Sequence, residues 1–238
     1  MAQNASGARL TEPTRIIAIR HGRTAWNVQY RLQGQIDIAL DALGHQQAQR
    51  LPDALRHEGL TAVISSDLAR AWHTALALAV PLCLPLVADT GLRERCFGRF
   101  EGLTRAEIDQ QWPTLAGRWH RREPDFAPDG AESLRIFQAR MLATVVRLAQ
   151  AHAGGAIAIV SHGGVLDGLY RAATRLALDV PRTWPLPNAS INRLLYTPQG
   201  FALVGWNDAA HLEDLEGLEG LEGLVGAPPG HLAAPRPT

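Results

Sequence analysis

The chain has 238 residues, 46% of them hydrophobic, which is enough to bury one large core and short for two compact domains. Lys+Arg and Asp+Glu both number 23, so no net basic field is available to hold a nucleic acid backbone, and a small-molecule partner fits better. Every basic residue is an arginine; the lack of lysine excludes P-loop nucleotide hydrolysis, which needs the lysine of GK[ST], and Schiff-base or pyridoxal phosphate chemistry, which needs the amine.

Residues 1–14 read as an N-terminal extension. Arg15–Arg20 (RIIAIR) is short, apolar and β-branched, as a buried parallel strand should be, and Ala62–Ser65 and Ala156–Val160 share that character. Helical spacing runs over Gly44–Glu58, where Pro52 is expected to remove a hydrogen bond and kink or split the helix. It recurs over Asp67–Val80, Ser133–Ala153 and Gly163–Leu176. Residues 112–130, with Pro113, Pro124 and Pro128, read as irregular and as a candidate cap over a site. Asn192–Thr197 and Phe201–Trp206 flank Pro-Gln-Gly as a terminal hairpin or edge pair. Alternating strand and helix predict a three-layer α/β/α sandwich around a mainly parallel central sheet, occupying residues 15–210. Residues 211–238 carry three Leu-Glu-Gly triplets and a Pro- and Gly-rich end. Glycine at every third position costs helix stability, so this low-complexity tail is expected to be weakly ordered or docked on a partner.

Cys83 and Cys96 lack CxxC spacing, which argues against a structural zinc or a disulfide framework and for a reducing compartment. Met1–Glu12 has no apolar core, and the longest apolar stretch, Ala75–Ala88, is broken by Pro81 and Pro85. The expectation is a cytoplasmic protein with no membrane or nucleic acid partner; a homodimer stays open.

Two histidines stand immediately after a strand and before glycine, in Arg20-His21-Gly22 and Ser161-His162-Gly163-Gly164. Residues leaving the carboxyl ends of parallel strands converge on the ligand crevice, so the two can meet although they lie far apart in sequence. The glycines let backbone approach an anion, and Gly163 can open a helix whose first amides favour negative charge. A lone histidine is more often a satisfied core or surface residue. Here, however, Arg20, Arg23, Asn27 and Arg70 accompany the pair, and arginine forks match phosphate and keep their charge when partly buried.

The stretch RHGRTAWN, residues 20–27, resembles the RHG signature of the histidine phosphatase superfamily, whose members include phosphoglycerate mutases and many phosphatases. Four further blocks follow in the family's order: Ser65-Ser66 through Arg70 to Thr74-Ala75, Leu92-Arg93-Glu94, Phe97 to Gly102, and Ser161 to Gly164. The resemblance covers roughly residues 15–207 and implies that His21 accepts the phosphoryl group. It further implies that Arg20, Arg70 and His162 bind the equatorial oxygens, with Asn27 and backbone amides near Gly22 and Gly163 assisting. Glu94 would protonate the leaving oxygen and then activate the incoming nucleophile. Taken alone, Glu94 between Arg93 and Arg95 could be a solvated loop carboxylate, and Glu101 the more structural of the two acids. Branches with aspartate after the second histidine use that residue as the acid, whereas this chain has Gly163. Phosphoryl transfer asks chiefly for in-line positioning, charge stabilisation and a proton for a poor leaving group. No metal is expected, because HExxH-like ligand spacing is missing and the cationic cluster supplies the charge.

The interval from Glu94 to His162 is short, as in compact phosphatases, and Pro128-Asp-Gly-Ala-Glu-Ser133 resembles their Gly-Glu-Ser turn except at Ala131. The main expectation is therefore hydrolysis of a small phosphorylated metabolite through a phosphohistidine, with no cofactor. The alternative is a phosphoglycerate mutase primed by bisphosphoglycerate. Arg121 and Arg122 speak for it, since mutases carry an arginine pair in this region that reads the substrate carboxylate; a solvated loop is the plainer account. A non-catalytic phospholigand-binding module is the remote third reading, disfavoured because a binder need not retain both nucleophile and acid.

Overall fold

The computed structural model describes residues 12–215. Its centre is a sheet in the order β3-β2-β4-β1-β5-β6, formed by β1 (Thr14–Arg20), β2 (Ala62–Ser65), β3 (Leu86–Ala88), β4 (Ala156–Ser161), β5 (Ile191–Thr197) and β6 (Gly200–Asp208). Strands β3, β2, β4 and β1 run parallel, and β5 and β6 continue the sheet antiparallel. Every residue of β2 and β4 is buried, as a strand covered on both faces requires. At the free edge, Val204 of β6 is exposed.

The helices are α1 (Ala25–Val28), α2 (Ala42–Leu55), α3 (Ala69–Ala79), α4 (Arg105–Gln111), α5 (Pro113–His120), α6 (Leu134–Ala151) and α7 (Gly163–Thr174). Alternation along the central strands sorts the core into two layers. Ile16 and Ala18 of β1 and Ile157 and Ile159 of β4 meet Met141 and Val145 of α6 and Leu166 and Leu169 of α7. Ile17, Ile19, Ala158 and Val160 face the other way, onto Leu51 and Leu55 of α2 and Ala75 and Leu78 of α3. The expected sandwich is present, with strand and helix limits displaced by one to three residues at most ends.

Pro52 does not split α2, which is continuous over 14 residues. Leu51 and Leu55, both fully buried against the sheet, hold the helix across the missing hydrogen bond. Residues 113–120 are helical rather than irregular: Pro113 occupies the first turn of α5, where its missing N–H costs nothing. A capping box that the sequence displays as Thr104-x-x-Glu107 opens α4; Thr104 N–H donates to Glu107 Oε2 at 2.7 Å and Glu107 N–H to Thr104 Oγ1 at 3.2 Å. Around α4 and α5, Phe100, Ile108 and Ala116 bury a satellite cluster with Trp112 and Trp119.

The compact unit extends past residue 210. A single helical turn over Ala210–Leu212 buries Leu212 completely, packed on α2, so the tail begins later than its composition suggests. Residues 1–11 of the N-terminal extension and residues 216–238, which hold all of the Leu-Glu-Gly triplets except Leu215, lie outside the described residues.

Candidate active site

Strands β1 and β4 are parallel neighbours with Arg20 opposite Ser161, so the residues that follow them emerge side by side at the carboxyl edge of the sheet. His21 N–H donates to Ser161 O at 2.9 Å, and the His21 and His162 rings lie 5.2 Å apart at 58°. The convergence read from the sequence is therefore a consequence of strand register.

His21 is buried, and its Nδ1 lies 2.7 Å from the Gly22 carbonyl oxygen. A carbonyl only accepts, so Nδ1 carries the proton and the lone pair is on Nε2. Burial, followed by the Arg70 and Arg20 charges, holds the imidazole well below its ordinary range. The ring is neutral at physiological pH, with its Nε2 lone pair free of the bond to Gly22 O.

His162 is fully buried at the N-cap of α7. Arg70 Nε donates to its Nδ1 at 3.2 Å, which places the ring proton on Nε2, 2.8 Å from Ser66 Oγ. Burial, Arg70, His21 and Arg20 together keep this histidine neutral as well. Arg70, at the start of α3, is 1% exposed, and its remaining nitrogens donate to Ile36 O at 2.8 Å and Gly34 O at 2.7 Å. Arg20 donates through Nη1 to Leu186 O, while its buried Nε has no protein partner and lies against Gly163. Burial draws both guanidiniums down to about 10, so both stay charged at neutral pH. Neither has a carboxylate partner, and together they form a sunken cationic pair beside the two neutral rings.

Glu94 is fastened at both oxygens: Arg95 N–H donates to Oε1 at 2.7 Å and Gly164 N–H to Oε2 at 2.9 Å. A side chain at Gly164 would overlap Oε1. Ser161 Oγ donates to Leu92 O at 2.7 Å, tying the acid's loop to the end of β4. Arg140 of α6 clamps the same loop, bonding Gly91 O, Arg93 O and Glu94 O while paired with Glu132 at 2.8 Å. Glu101 and Glu132 also accept backbone amides, at positions outside the Gly164 contact that Glu94 makes. Glu101 Oε1 accepts from the Gln35 and Phe97 amides at 3.0 and 2.9 Å, and Glu132 Oε2 accepts from Cys96 N–H at 2.9 Å.

The assisting residues are less uniform. Asn27 Oδ1 closes the cap of α1 by accepting from Thr24 N–H at 3.0 Å, and it also receives Asn188 Nδ2 at 3.3 Å, which leaves the amide nitrogen as the end that can meet a ligand. The Gly22 N–H is already bonded to Thr74 Oγ1 at 3.0 Å, and among the first amides of α7 that of Gly164 holds Glu94. Gly22 instead provides close approach, since a Cβ there would overlap Gly44 O. Arg23, adjacent to the motif, pairs with Asp41 at 2.8 Å. Arg121 is exposed and pairs with Glu123 at 2.9 Å, so it does not join the site, whereas Arg122 turns inward to Asp167 at 3.1 Å and Leu178 O at 2.8 Å.

Sequence reasoning missed three contributors. Ser66 lay inside a quoted block and fixes the His162 proton. Asn188 donates to His21 O at 2.9 Å from a loop without any local signature. Arg182, in the same loop, places the strongest neighbouring charge on Arg20. Among the described residues no cluster of three or more His, Cys, Asp or Glu could hold a metal ion, and no helix is long and apolar enough to cross a membrane.

Known proteins resemble this chain in sequence and fold. An Arabidopsis thaliana metal-independent phosphoserine phosphatase is 33% identical over 86% of this chain and 86% of its own length. A phosphoglycerate mutase-like protein from the same organism is 34% identical over 84% of this chain and 87% of its own. The solved mycobacterial glucosyl-3-phosphoglycerate phosphatase superimposes with a TM-score of 0.73 at 32% identity, covering 83% of this chain and 100% of that one. The histidine phosphatase superfamily (branch 1) model matches residues 16–209, which span both histidines, both site arginines and Glu94, and the chain is an enzyme of that superfamily.

Proposed function

We propose that the protein hydrolyses phosphomonoesters of small metabolites through a phosphohistidine on His21 Nε2. The observation that carries this reading is the tautomer: a neutral imidazole with its Nδ1 proton held by Gly22 O and its Nε2 lone pair beside two unpaired, buried arginines. In the first half-reaction Nε2 attacks phosphorus in line. The ester oxygen departs with a proton from Glu94, and Arg20 Nε, Arg70 and the His162 Nε2–H, exchanged from Ser66, hold the equatorial oxygens. In the second, the Glu94 carboxylate takes a proton from water, the water oxygen bonds to phosphorus, the N–P bond breaks and inorganic phosphate leaves. No step calls for a metal or a cofactor, because the arginines supply the charge. A metal-independent relative supports the same reading.

The mutase reading is favoured by the likeness to relatives named as phosphoglycerate mutases or as mutase-like, and differs only in the second acceptor, a sugar-acid hydroxyl in place of water. Incubation with a labelled phosphoryl donor tests the core of the proposal: acid-labile, base-stable label should appear on wild type and be lost in His21→Ala. Phosphoglycerates offered with bisphosphoglycerate should release phosphate rather than isomerise. A fully occupied phosphate pocket with no label would leave a binding module. The proposal also includes a cytoplasmic setting, to which the free thiols of Cys83 and Cys96 are suited, and a homodimer through the free β6 edge, testable by sedimentation.

A further inference from the structure

The turn Pro128-Asp-Gly-Ala-Glu-Ser133 takes no part in the chemistry above, yet it is bonded at several points to the loop that carries Glu94. Glu132 N–H donates to Cys96 O at 3.0 Å, Cys96 N–H returns to Glu132 Oε2 at 2.9 Å, and Arg99 N–H donates to Asp129 O at 3.2 Å. Arg95 adds a bond from Nε to Glu132 O at 2.8 Å. Gly98, with a φ of 54°, lies so close to the turn that a Cβ there would overlap Asp129 O and the Ala131 nitrogen.

Ser133 ends the turn and opens α6 by accepting from Ile136 N–H at 3.2 Å. About two helical turns further on, Arg140 reaches back to Glu132. Its Nε meets Glu132 Oε1 and its Nη2 meets Glu132 Oε2, both at 2.8 Å, in a fork that closes on the carboxylate. Nη1 donates to Gly91 O at 2.9 Å and Arg93 O at 3.1 Å, and Nη2 to Glu94 O at 3.2 Å. A guanidinium offers five N–H donors, and these bonds engage all of them. Arg140 therefore has none left for a substrate. Glu132 balances its charge, so the clamp fixes the Glu94 backbone without setting a net cation beside a carboxyl that must release and regain a proton. From that fixed backbone the Glu94 side chain crosses to α7 and accepts Gly164 N–H at 2.9 Å.

We propose that Arg140, with Glu132 as its counter-charge, is the positioning residue for Glu94, and that the turn over residues 128–133 serves the reaction by holding this pair. A general acid works only within hydrogen-bond reach of the leaving oxygen, and a displacement of about 1 Å can cost on the order of a hundredfold in rate. The kinetic consequence rests on the reading of Glu94 as acid and base; the contact between Glu94 and Gly164 does not. An ion pair that merely stabilised the loop would lower the melting temperature and slow all phosphoesters alike.

The test is single-turnover phosphorylation of His21 by an alkyl ester, 3-phosphoglycerate, and by an aryl ester, 4-nitrophenyl phosphate, whose leaving group needs no proton. Arg140→Met should lose about ten- to hundredfold on the alkyl ester, in kcat more than in KM, and far less on the aryl ester. Arg140→Lys should recover little, since three donors on a point charge cannot close the fork. Added to Glu94→Gln, Arg140→Met should bring no further alkyl-specific loss. Equal losses on both esters in Arg140→Met, with Glu94→Gln still selective, overturn the positioning role. Equal losses in Glu94→Gln itself fault the acid reading instead. The contact is then read without turnover: the Gly164 amide resonance should move in Arg140→Met toward its position in Glu94→Ala, and an unmoved resonance overturns the inference whatever the kinetics. Should Arg140→Met fail to fold, Glu132→Gln, which keeps the shape of the fork's acceptor and weakens its bonds, is held to the same two readouts.

Discussion

Arg70 Nε donates to His162 Nδ1 at 3.2 Å, and this single bond fixes which nitrogen of the second histidine presents a proton to the site. The same guanidinium spends its other nitrogens on Gly34 O and Ile36 O, so it also anchors the loop before α2. Lysine at this position can satisfy only part of that geometry from a point charge. Arg70→Lys is expected to lower kcat/KM by about 100-fold or more and to cost about 1–3 kcal/mol of stability. Steady-state kinetics and denaturant melts check both, and unchanged kcat/KM would place Arg70 outside the phosphate pocket.

His21 and His162 are held well below their ordinary range chiefly by burial, so the folded protein binds fewer protons there than the unfolded chain. Their contribution to stability is fully present above the unfolded histidine value, about 6.5, and is lost as the pH falls below it. The melting temperature should decline on acidification from about pH 6.5. In nitrogen-detected NMR, neither ring should titrate between pH 6 and pH 7.5. A midpoint at the free-histidine value for His21 would contradict the neutral nucleophile.

Glu94→Gln keeps the shape of the acid and removes its proton. Esters with alkoxide leaving groups should lose roughly a hundredfold or more in the phosphorylation step, whereas an activated aryl phosphate should lose far less. Breakdown of the phosphoenzyme also slows, so trapped phosphohistidine should accumulate from the aryl substrate in single-turnover experiments. Equal losses on both substrates would remove Glu94 from the acid role, and the bonds that engage Glu101 and Glu132 leave neither as a ready replacement.

Gly164→Ala places a methyl group onto Glu94 Oε1 and should reproduce much of the Glu94→Gln defect while both histidines keep their environment. Comparable alkyl-ester loss with retained aryl turnover is the expected signature. Wild-type kinetics would mean that the acid has room to move aside.

Deletion after residue 215 should leave turnover and stability intact, whereas deletion from residue 211 removes Leu212 and its packing on α2. The longer deletion should cost about 2–5 kcal/mol by the usual measure of a buried leucine. Thermal melts of the two truncations decide this, and identical melting temperatures would make the turn dispensable.

Local sequence was sufficient wherever the physics is local. Apolar β-branched runs identified β1, β2 and β4, and helical spacing found α2, α3, α6 and α7, because one-sided or two-sided burial leaves its period in the chain. The motif blocks placed His21, His162, Arg20, Arg70 and Glu94 at strand, helix and loop ends, and the fold brings the two rings together with Arg70 bonded to His162, Glu94 to Gly164 and Arg20 against Gly163. Residues 113–120 were misread because a proline can begin a helix as readily as it breaks one, whereas residues 121–130 are irregular as expected.

What only the tertiary structure decided were the pairings between distant segments. Which histidine nitrogen holds its proton depends on Gly22 O for one ring and on Arg70 and Ser66 for the other, and these contacts exist only after β1, β2 and β4 lie side by side. The fates of the arginines diverged for the same reason. Arg23 and Arg121 meet carboxylates, whereas Arg20 and Arg70 do not. Sequence shows how many charges a chain has; whether each is paired or left to meet a substrate depends on distances that folding alone sets.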